Sequence, residues 1–393
     1  MDRTMMILIL GVMLAAGAAR ATTWEVAKDG SGDFMVIQDA VDAASPGDVI
    51  WIRAGRYEEL TEDFDVYGDG TVFADVHVAI TKDDLTLRGD GMDATIIGPA
   101  VYPDSPDYNY IGITVYSSHA TTLTVEDLAV ENTNFGVFAG SQSCVVRRCR
   151  LEGNLVNGIR LRTSISAAID DCEFIASDVA FRTWYPAANV SISNCTVELA
   201  DYSSSRGFAC VNTQNVAIDN CEFTGGGGAI DFQQGTTGII TNVTASGYHN
   251  YGAKVIDGAS AEIYDADFEG GLWAIISNGN GVVCEDSSFR GQTYRTIYLN
   301  NWGSSSFTNC EILNGGGYSV YCDFNEIPDC HVDMTNCYWG TDSAEQIAEW
   351  IWDSNDDPER CCTVDFIPFN GSVATELHSW SAVKGLFDAN GRE

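Results

Sequence analysis

A four-residue phrase recurs along the chain at intervals of about 23 residues. Asp171-Cys172-Glu173-Phe174, Asn194-Cys195-Thr196-Val197, Asn220-Cys221-Glu222-Phe223 and Asn309-Cys310-Glu311-Ile312 share it. Looser copies centre on Leu128, Cys149, Val243, Ala266, Ser287 and Cys337, so the copies follow one another without a break from 128 to 337. A period of this length marks a repeat architecture, in which each unit buries its apolar face only by stacking on the next.

Each copy carries a second short strand, usually opened by a small residue. Examples are Gly158-Ile159-Arg160-Leu161, Ala229-Ile230-Asp231-Phe232, Gly252-Ala253-Lys254-Val255 and Thr296-Ile297-Tyr298-Leu299. Alternating character over so few residues is a strand signal, and no copy leaves room for a long helix. The fold class that fits is all-β, a right-handed parallel β-helix with one repeat per rung. Rungs ~4.8 Å apart would make a rod of roughly 48 Å. Equivalent positions then stack: Cys149, Cys172, Cys195 and Cys221 form an internal column of small apolar side chains, near enough for isolated disulfides. The Asn or Asp before each cysteine is expected at a turn, its side chain bonding neighbouring backbone.

Both ends of such a rod need a cover against edge-to-edge pairing. Ile37, Ala40, Val41 and Ala44 have helical spacing and end at Ser45-Pro46-Gly47-Asp48, predicting an N-terminal cap helix. Ser343 to Asp353 predicts a C-terminal one, with Ile347 and Ile351 on one face, followed by a closing strand at Val364-Asp365-Phe366. Residues 1–21 read as a secretory signal: Arg3, an apolar stretch from Met5 to Ala16, and small residues in Ala19-Arg20-Ala21. The expected organisation is a signal peptide at 1–21, the β-helix with its caps at 22–370, and a tail at 371–393. The expected location is secreted or cell-surface, in a bacterium, as a monomer without membrane insertion. The cysteine count, 13, is odd, so at least one thiol stays unpaired within the chain.

The formal charge is −36, from 20 Lys+Arg and 56 Asp+Glu. This excludes nucleic acid as a partner, because phosphate binding rests on clustered cations. A polyanion could bind only where the few cations gather. Side chains alternate in and out along a strand. With Ile159, Leu161, Ile230, Phe232, Ala253, Val255, Ile297 and Leu299 inward, the outward sheet presents Arg160, Arg162, Asp231, Gln233, Lys254, Tyr298, Asn300, Tyr321 and Asp323. Arg182 and Trp184 join them. Guanidinium groups hold carboxylates bidentately, and Tyr and Trp offer flat apolar faces, so the mixture suits an acidic sugar chain.

The stretch Val26-Ala27-Lys28-Asp29-Gly30-Ser31-Gly32-Asp33-Phe34, with Ile37-Gln38-Asp39-Ala40-Val41, Gly47-Asp48 and Ala54-Gly55-Arg56-Tyr57, resembles the N-terminal segment of pectinesterases and of the wider pectin lyase-like superfamily. Leu85-Thr86-Leu87-Arg88-Gly89-Asp90-Gly91 fits the same pattern. Cys337-Tyr338-Trp339-Gly340, Asp356-Asp357-Pro358 and Val364 to Phe369 resemble the closing segment of exported bacterial β-helix repeat proteins. The resemblance implies the fold over about 24–370 and speaks only weakly to activity.

Gly228-Ala229-Ile230-Asp231-Phe232-Gln233-Gln234-Gly235 is similar to the pectinesterase phrase around its nucleophilic Asp. That chemistry needs a second carboxylate one rung earlier, where Phe208-Ala209-Cys210-Val211 has none, and the family's Leu-Gly-Arg-Pro-Trp phrase does not follow. Polygalacturonase-type hydrolysis needs paired carboxylates flanking the bond; Asp170-Asp171 falls on the turn ladder instead. The acid-rich insertion from Glu58 to Asp75 could wrap Ca²⁺ but has no EF-hand pattern. The five histidines lack zinc spacing.

The expectation is therefore an exported β-helix protein that binds an acidic polysaccharide through Arg160, Arg162, Trp184, Gln233, Tyr298, Asn300 and Tyr321. Two alternatives stay open. One is a polysaccharide lyase or other pectin-active enzyme with Lys254, Arg182 or Asp231 as catalytic groups. The other is a non-catalytic structural or adhesive protein.

Overall fold

A computed structural model describes residues 21–370 except 68, 104–109, 116–121, 141, 163–165, 185, 301–303, 314, 324–329 and 360. The signal segment, apart from its last residue, and the tail lie outside the described residues. The rest winds into a parallel β-helix whose turns contribute to three sheets, here called A, B and C, of 14, 11 and 13 strands. One turn shows the plan. Ser166–Asp170 lies in sheet A, Glu173–Ser177 in sheet B and Val179–Thr183 in sheet C. The next repeats it with Ala187–Ser193, Thr196–Leu199 and Arg206–Val211.

The repeat holds three strands per turn rather than the two expected. The recurring phrase straddles the corner between sheets A and B. Its first residue adopts a left-handed conformation in all ten copies: Asp127, Arg148, Asp171, Asn194, Asn220, Asn242, Asp265, Asp286, Asn309 and Asn336 have φ between 51° and 60°. Asn and Asp tolerate that region better than other side chains, which explains their prevalence. Their side chains bond mainly to those of the preceding turn, not to the backbone expected. Asn194 Nδ2 donates to Asp170 Oδ1 at 2.8 Å, Asn220 Nδ2 to Asn194 Oδ1 at 2.8 Å, and Asn242 Nδ2 to Asp219 Oδ1 at 3.0 Å. The structural reading of Asp170-Asp171 therefore holds.

The second residue of each phrase points inward and is buried in all ten copies, from Leu128 to Cys337. All thirteen cysteines carry free thiols, and Cys284 and Cys310 sit with sulfurs 3.9 Å apart. Aromatic rings fill the sheet B side, Phe174, Phe223, Phe268 and Phe289 among them. The small residue that opens each sheet C strand lies against these rings. A Cβ on Gly158 would meet Phe174 Cδ1 at 2.8 Å, and one on Gly252 would meet Phe268 Cγ at 2.6 Å. Because that residue and the next are both buried, strict alternation breaks at the corner into sheet C.

The N-terminal cap is helix α1, Ile37–Ala43, with Ile37, Ala40 and Val41 buried. Gln38 ties it to the rod by bonding both the carbonyl and the amide of Ala79. Helix α2, Ala344–Glu349, is shorter than predicted. Ile351–Trp352 leaves the helix and pairs with Val320 and Tyr321 as the last strand of sheet C. The buried carboxylate of Asp353 explains the exit, since it accepts the Asn355 and Val364 amides at 2.8 and 3.0 Å. Cys362–Asp365 forms the closing strand beside Cys330–Asp333.

The insertion after Glu58 forms a hairpin: Thr61–Asp65 pairs antiparallel with Phe73–Ile80. Several of its acids are used locally. Glu59 pairs with Lys28 at 3.0 Å, and Asp65 accepts the Tyr67 and Gly70 amides. Among the described residues no three His, Cys, Asp or Glu side chains assemble to hold a metal ion, so the Ca²⁺ expectation gains no support.

Candidate functional site

Strand pairing in sheet C places the predicted residues on a shared track. Phe138, Arg160, Arg182, Ala209, Asp231, Lys254, Ile276, Tyr298, Tyr321 and Trp352 are partners in register on successive strands. The inward assignments on this sheet are met, Ile159, Leu161, Ile230, Phe232, Ala253, Val255, Ile297 and Leu299 all being buried. Arg162, Trp184, Gln233, Asn300 and Asp323 follow two residues later on their own turns, at the edge of the track.

Asp231 departs from expectation. Alternation places it on the outward face, as a candidate catalytic group, but it is 0% exposed. Four neighbours close over it. Its Oδ2 accepts from Gln233 Nε2 at 2.8 Å and Tyr251 Oη at 3.2 Å and pairs with Arg206 Nη1 at 3.1 Å and Lys254 Nζ at 3.8 Å. A carboxylate shielded in this way cannot touch a ligand; it positions the groups above it. Burial, then the charge of Asp231, push the Tyr251 hydroxyl well above its usual range, so Tyr251 stays a donor.

The cations divide into two kinds. Most outside the track are tied to acids. Arg56 pairs with Glu131 at 2.6 Å and Arg290 with Asp267 at 2.7 Å, while Arg88 and Arg147 share the buried Glu126 carboxylate. Arg182 has no acid within ion-pair distance among the described residues, and its Nε is buried without a hydrogen-bond partner. Burial, then the like charges of Arg160 and Arg206, lower its pKa, with Asp231 and Asp178 opposing. Its guanidinium lies over Trp184, 4.3 Å from the ring centroid, and that of Arg160 lies 4.7 Å from the same centroid. Trp184 is 44% exposed. Arg162 does not join this group; it stacks on Tyr67 of the inserted hairpin at 3.2 Å.

A second outward column escaped the sequence reading. It holds Arg206, Tyr251 and Trp273 on successive or alternate strands and continues at Arg295 and Tyr318. The signal was present: each stands immediately before the small residue that opens its strand. Strict alternation assigns that position to the core, and the corner geometry turns it outward.

The fold and site define a class: a pectin lyase-like solenoid with cations and aromatic rings arrayed along one sheet. The model for the right-handed β-helix region matches residues 135–246 and 229–344, and the chain belongs to that family. Curated relatives include probable pectinesterase 56 of Arabidopsis thaliana, 30% identical over 146 residues, covering 32% of this chain and 42% of the relative. Probable pectinesterase/pectinesterase inhibitor 59 of the same plant is 29% identical over 140 residues, covering 33% and 23%. The chain thus spans less than half the length of these relatives. Among solved structures, the Azotobacter vinelandii mannuronan C-5 epimerase AlgE6 A-module aligns with a TM-score of 0.45 and 13% identity, over 86% of this chain and 95% of that one. Carrot pectin methylesterase aligns with a TM-score of 0.34 and 16% identity, over 63% and 73%.

Proposed function

We propose that this chain is an exported protein that binds an acidic polysaccharide along the outward face of sheet C. The observation that carries this reading is Arg182. A half-buried guanidinium without an acid partner, set between Arg160 and Arg206, leaves the face electrostatically incomplete in a chain of charge −36. A carboxylate chain would complete it through bidentate bonds. Asp231 holds Arg206 and Lys254 in place beneath the ligand. The test is retention of the purified chain on immobilised polygalacturonate. Wild type is expected to bind and Arg182→Ala to bind about ten- to a hundred-fold more weakly, the weight of one charge-assisted bond. Equal retention of the two proteins refutes this reading.

A lyase is the second reading, and the place of Arg182 on the track, its Nε buried without a hydrogen-bond partner, favours it. β-Elimination of a polyuronate needs a base for the proton beside the sugar carboxylate; burial and the neighbouring cations of Arg182 disfavour its charged form, which eases access to the neutral guanidine that such a base requires. Ultraviolet absorbance of the unsaturated product, present in wild type and lost in Arg182→Lys, would establish it; bound polymer without that absorbance leaves a binding protein.

A further inference from the structure

The hairpin inserted after Glu58 covers one end of the sheet C face. Its second strand, Phe73–Ile80, is a rung of the sheet, and its first, Thr61–Asp65, is the antiparallel edge strand beyond that rung. The tip folds over the outward side. The track begins Ala79, Thr114, Phe138, and the column beside it begins Val76, Ile111, Phe135. All six are buried, although Arg160, Lys254 and Tyr298 later on the track reach solvent. The five apolar ones form a cluster of their own with Val66 and Ala74, and Phe64 and Tyr67 pack against it. This cluster is separate from the core inside the rod. The Tyr67 ring lies 6.1 Å from that of Phe138, and the Arg162 guanidinium, one strand farther on, lies 3.2 Å from the Tyr67 centroid. The tip therefore reaches across three strand steps, about 14 Å at ~4.8 Å each. Arg160 is the first track residue beyond the covered ones. The hairpin is also acidic, with seven Asp and Glu from Glu58 to Asp75 and no Lys or Arg between Tyr57 and Lys82.

We infer that the hairpin is an end stop: sheet C takes the terminus of an acidic polysaccharide, not a stretch of its interior. The inference rests on the groove reading above and deepens it. A chain laid along the track from Trp352 toward Arg160 meets apolar bulk where its path would continue, and that bulk is hydrogen-bonded into the sheet. The hairpin acids repel a uronate that passes over the tip. An interior stretch has sugars on both sides, so its chain must lift off the face near Arg160. A terminal sugar has no following residue to accommodate. It keeps Arg160, Arg182 and the exposed Trp184 ring, which stand next to the stop.

The experiment is calorimetric titration of the whole protein with polygalacturonate chains of defined length. All are longer than the track, which covers eight strand steps from Arg160 to Trp352, about 38 Å. The expected stoichiometry is one protein per chain at every length, so cutting a long polymer at constant uronate mass raises the number of sites in proportion to the ends created. A number of bound proteins that grows with chain length and does not change on cutting overturns the inference and leaves the groove reading standing. No binding at any length overturns the groove reading itself. Replacing residues 64–73 by an Asn-Gly turn removes the stop, and several copies should then share one long chain. One copy per chain in that variant, with the circular dichroism of the wild type, overturns the inference. Because the variant uncovers Phe135 and Phe138, the wild-type titration is decisive if it does not fold.

Discussion

Arg160 and Arg182 are partners in register on adjacent strands, and both guanidinium groups lie over the single ring of Trp184, at 4.7 and 4.3 Å from its centroid. Two like charges on neighbouring rungs thus share one indole face. Cation–π contact offsets part of their repulsion, by about 0.5–2 kcal/mol each. Trp184→Ala should loosen both guanidiniums and weaken polyuronate binding by about three- to ten-fold. Trp184→Phe should restore most of it, as titration of the two variants against one oligouronate would show.

Asp231 sets the geometry of the other two cations. Asp231→Ala leaves Arg206 and Lys254 facing each other without their shared carboxylate. Breaking a buried pair in this way costs about 3–5 kcal/mol; the partly exposed partners place the loss at the lower end. Denaturant unfolding should show it, with Asp231→Asn losing less because the Gln233 and Tyr251 contacts keep an oxygen acceptor. An unchanged midpoint in the alanine variant would show that the carboxylate does not hold the cluster.

The sheet A face carries an acid-sensitive tie. Burial raises the Glu126 pKa, but bonds from Arg88 and Arg147 outweigh it, leaving the group below its ordinary 4.5. A folded pKa below the unfolded one adds stability above the unfolded value and loses it as pH falls through the folded value. Wild type should therefore lose thermal stability below about pH 4.5. Glu126→Gln should be less stable at neutral pH and show a shallower acid slope. Parallel pH–melting curves for the two proteins would be contradictory.

The left-handed corner makes a backbone prediction. Asn220 has φ 51° and bonds Asn194. Asn220→Ala should cost about 1–3 kcal/mol, from the strained backbone plus the lost hydrogen bond. Asn220→Gly should cost less, since glycine takes this conformation freely. The order of the two melting temperatures is the check.

Much of the fold was legible because repetition turns one register into many. The ten phrases gave the period, and the second residue of each phrase, from Leu128 to Cys337, is buried as the stacking requires. The third strand per turn was hidden because a one-residue left-handed corner at Asn194 or Asn220 leaves no gap in the sequence. Helix α2 was overextended because the spacing of Ile347 and Ile351 fits a helix, while the pairing of Ile351 with Val320 is a long-range contact. In the site, alternation placed Arg160, Lys254 and Tyr298 on one track. It missed Arg206, Tyr251 and Arg295, whose outward turn follows from packing at the small residue behind them. It also left Asp231 open, because three of the four side chains that cover it, Arg206, Tyr251 and Lys254, come from neighbouring rungs.

The central claim is that unpaired positive charge on sheet C recruits an acidic glycan. Calorimetric titration of polygalacturonate into wild type, Arg182→Ala and Arg290→Ala tests it most directly, since Arg290 is paired with Asp267 on sheet B. The account predicts binding to wild type that weakens as salt rises, the same affinity for Arg290→Ala, and about a ten- to hundred-fold loss for Arg182→Ala. Equal losses in both variants, or none in either, would contradict it.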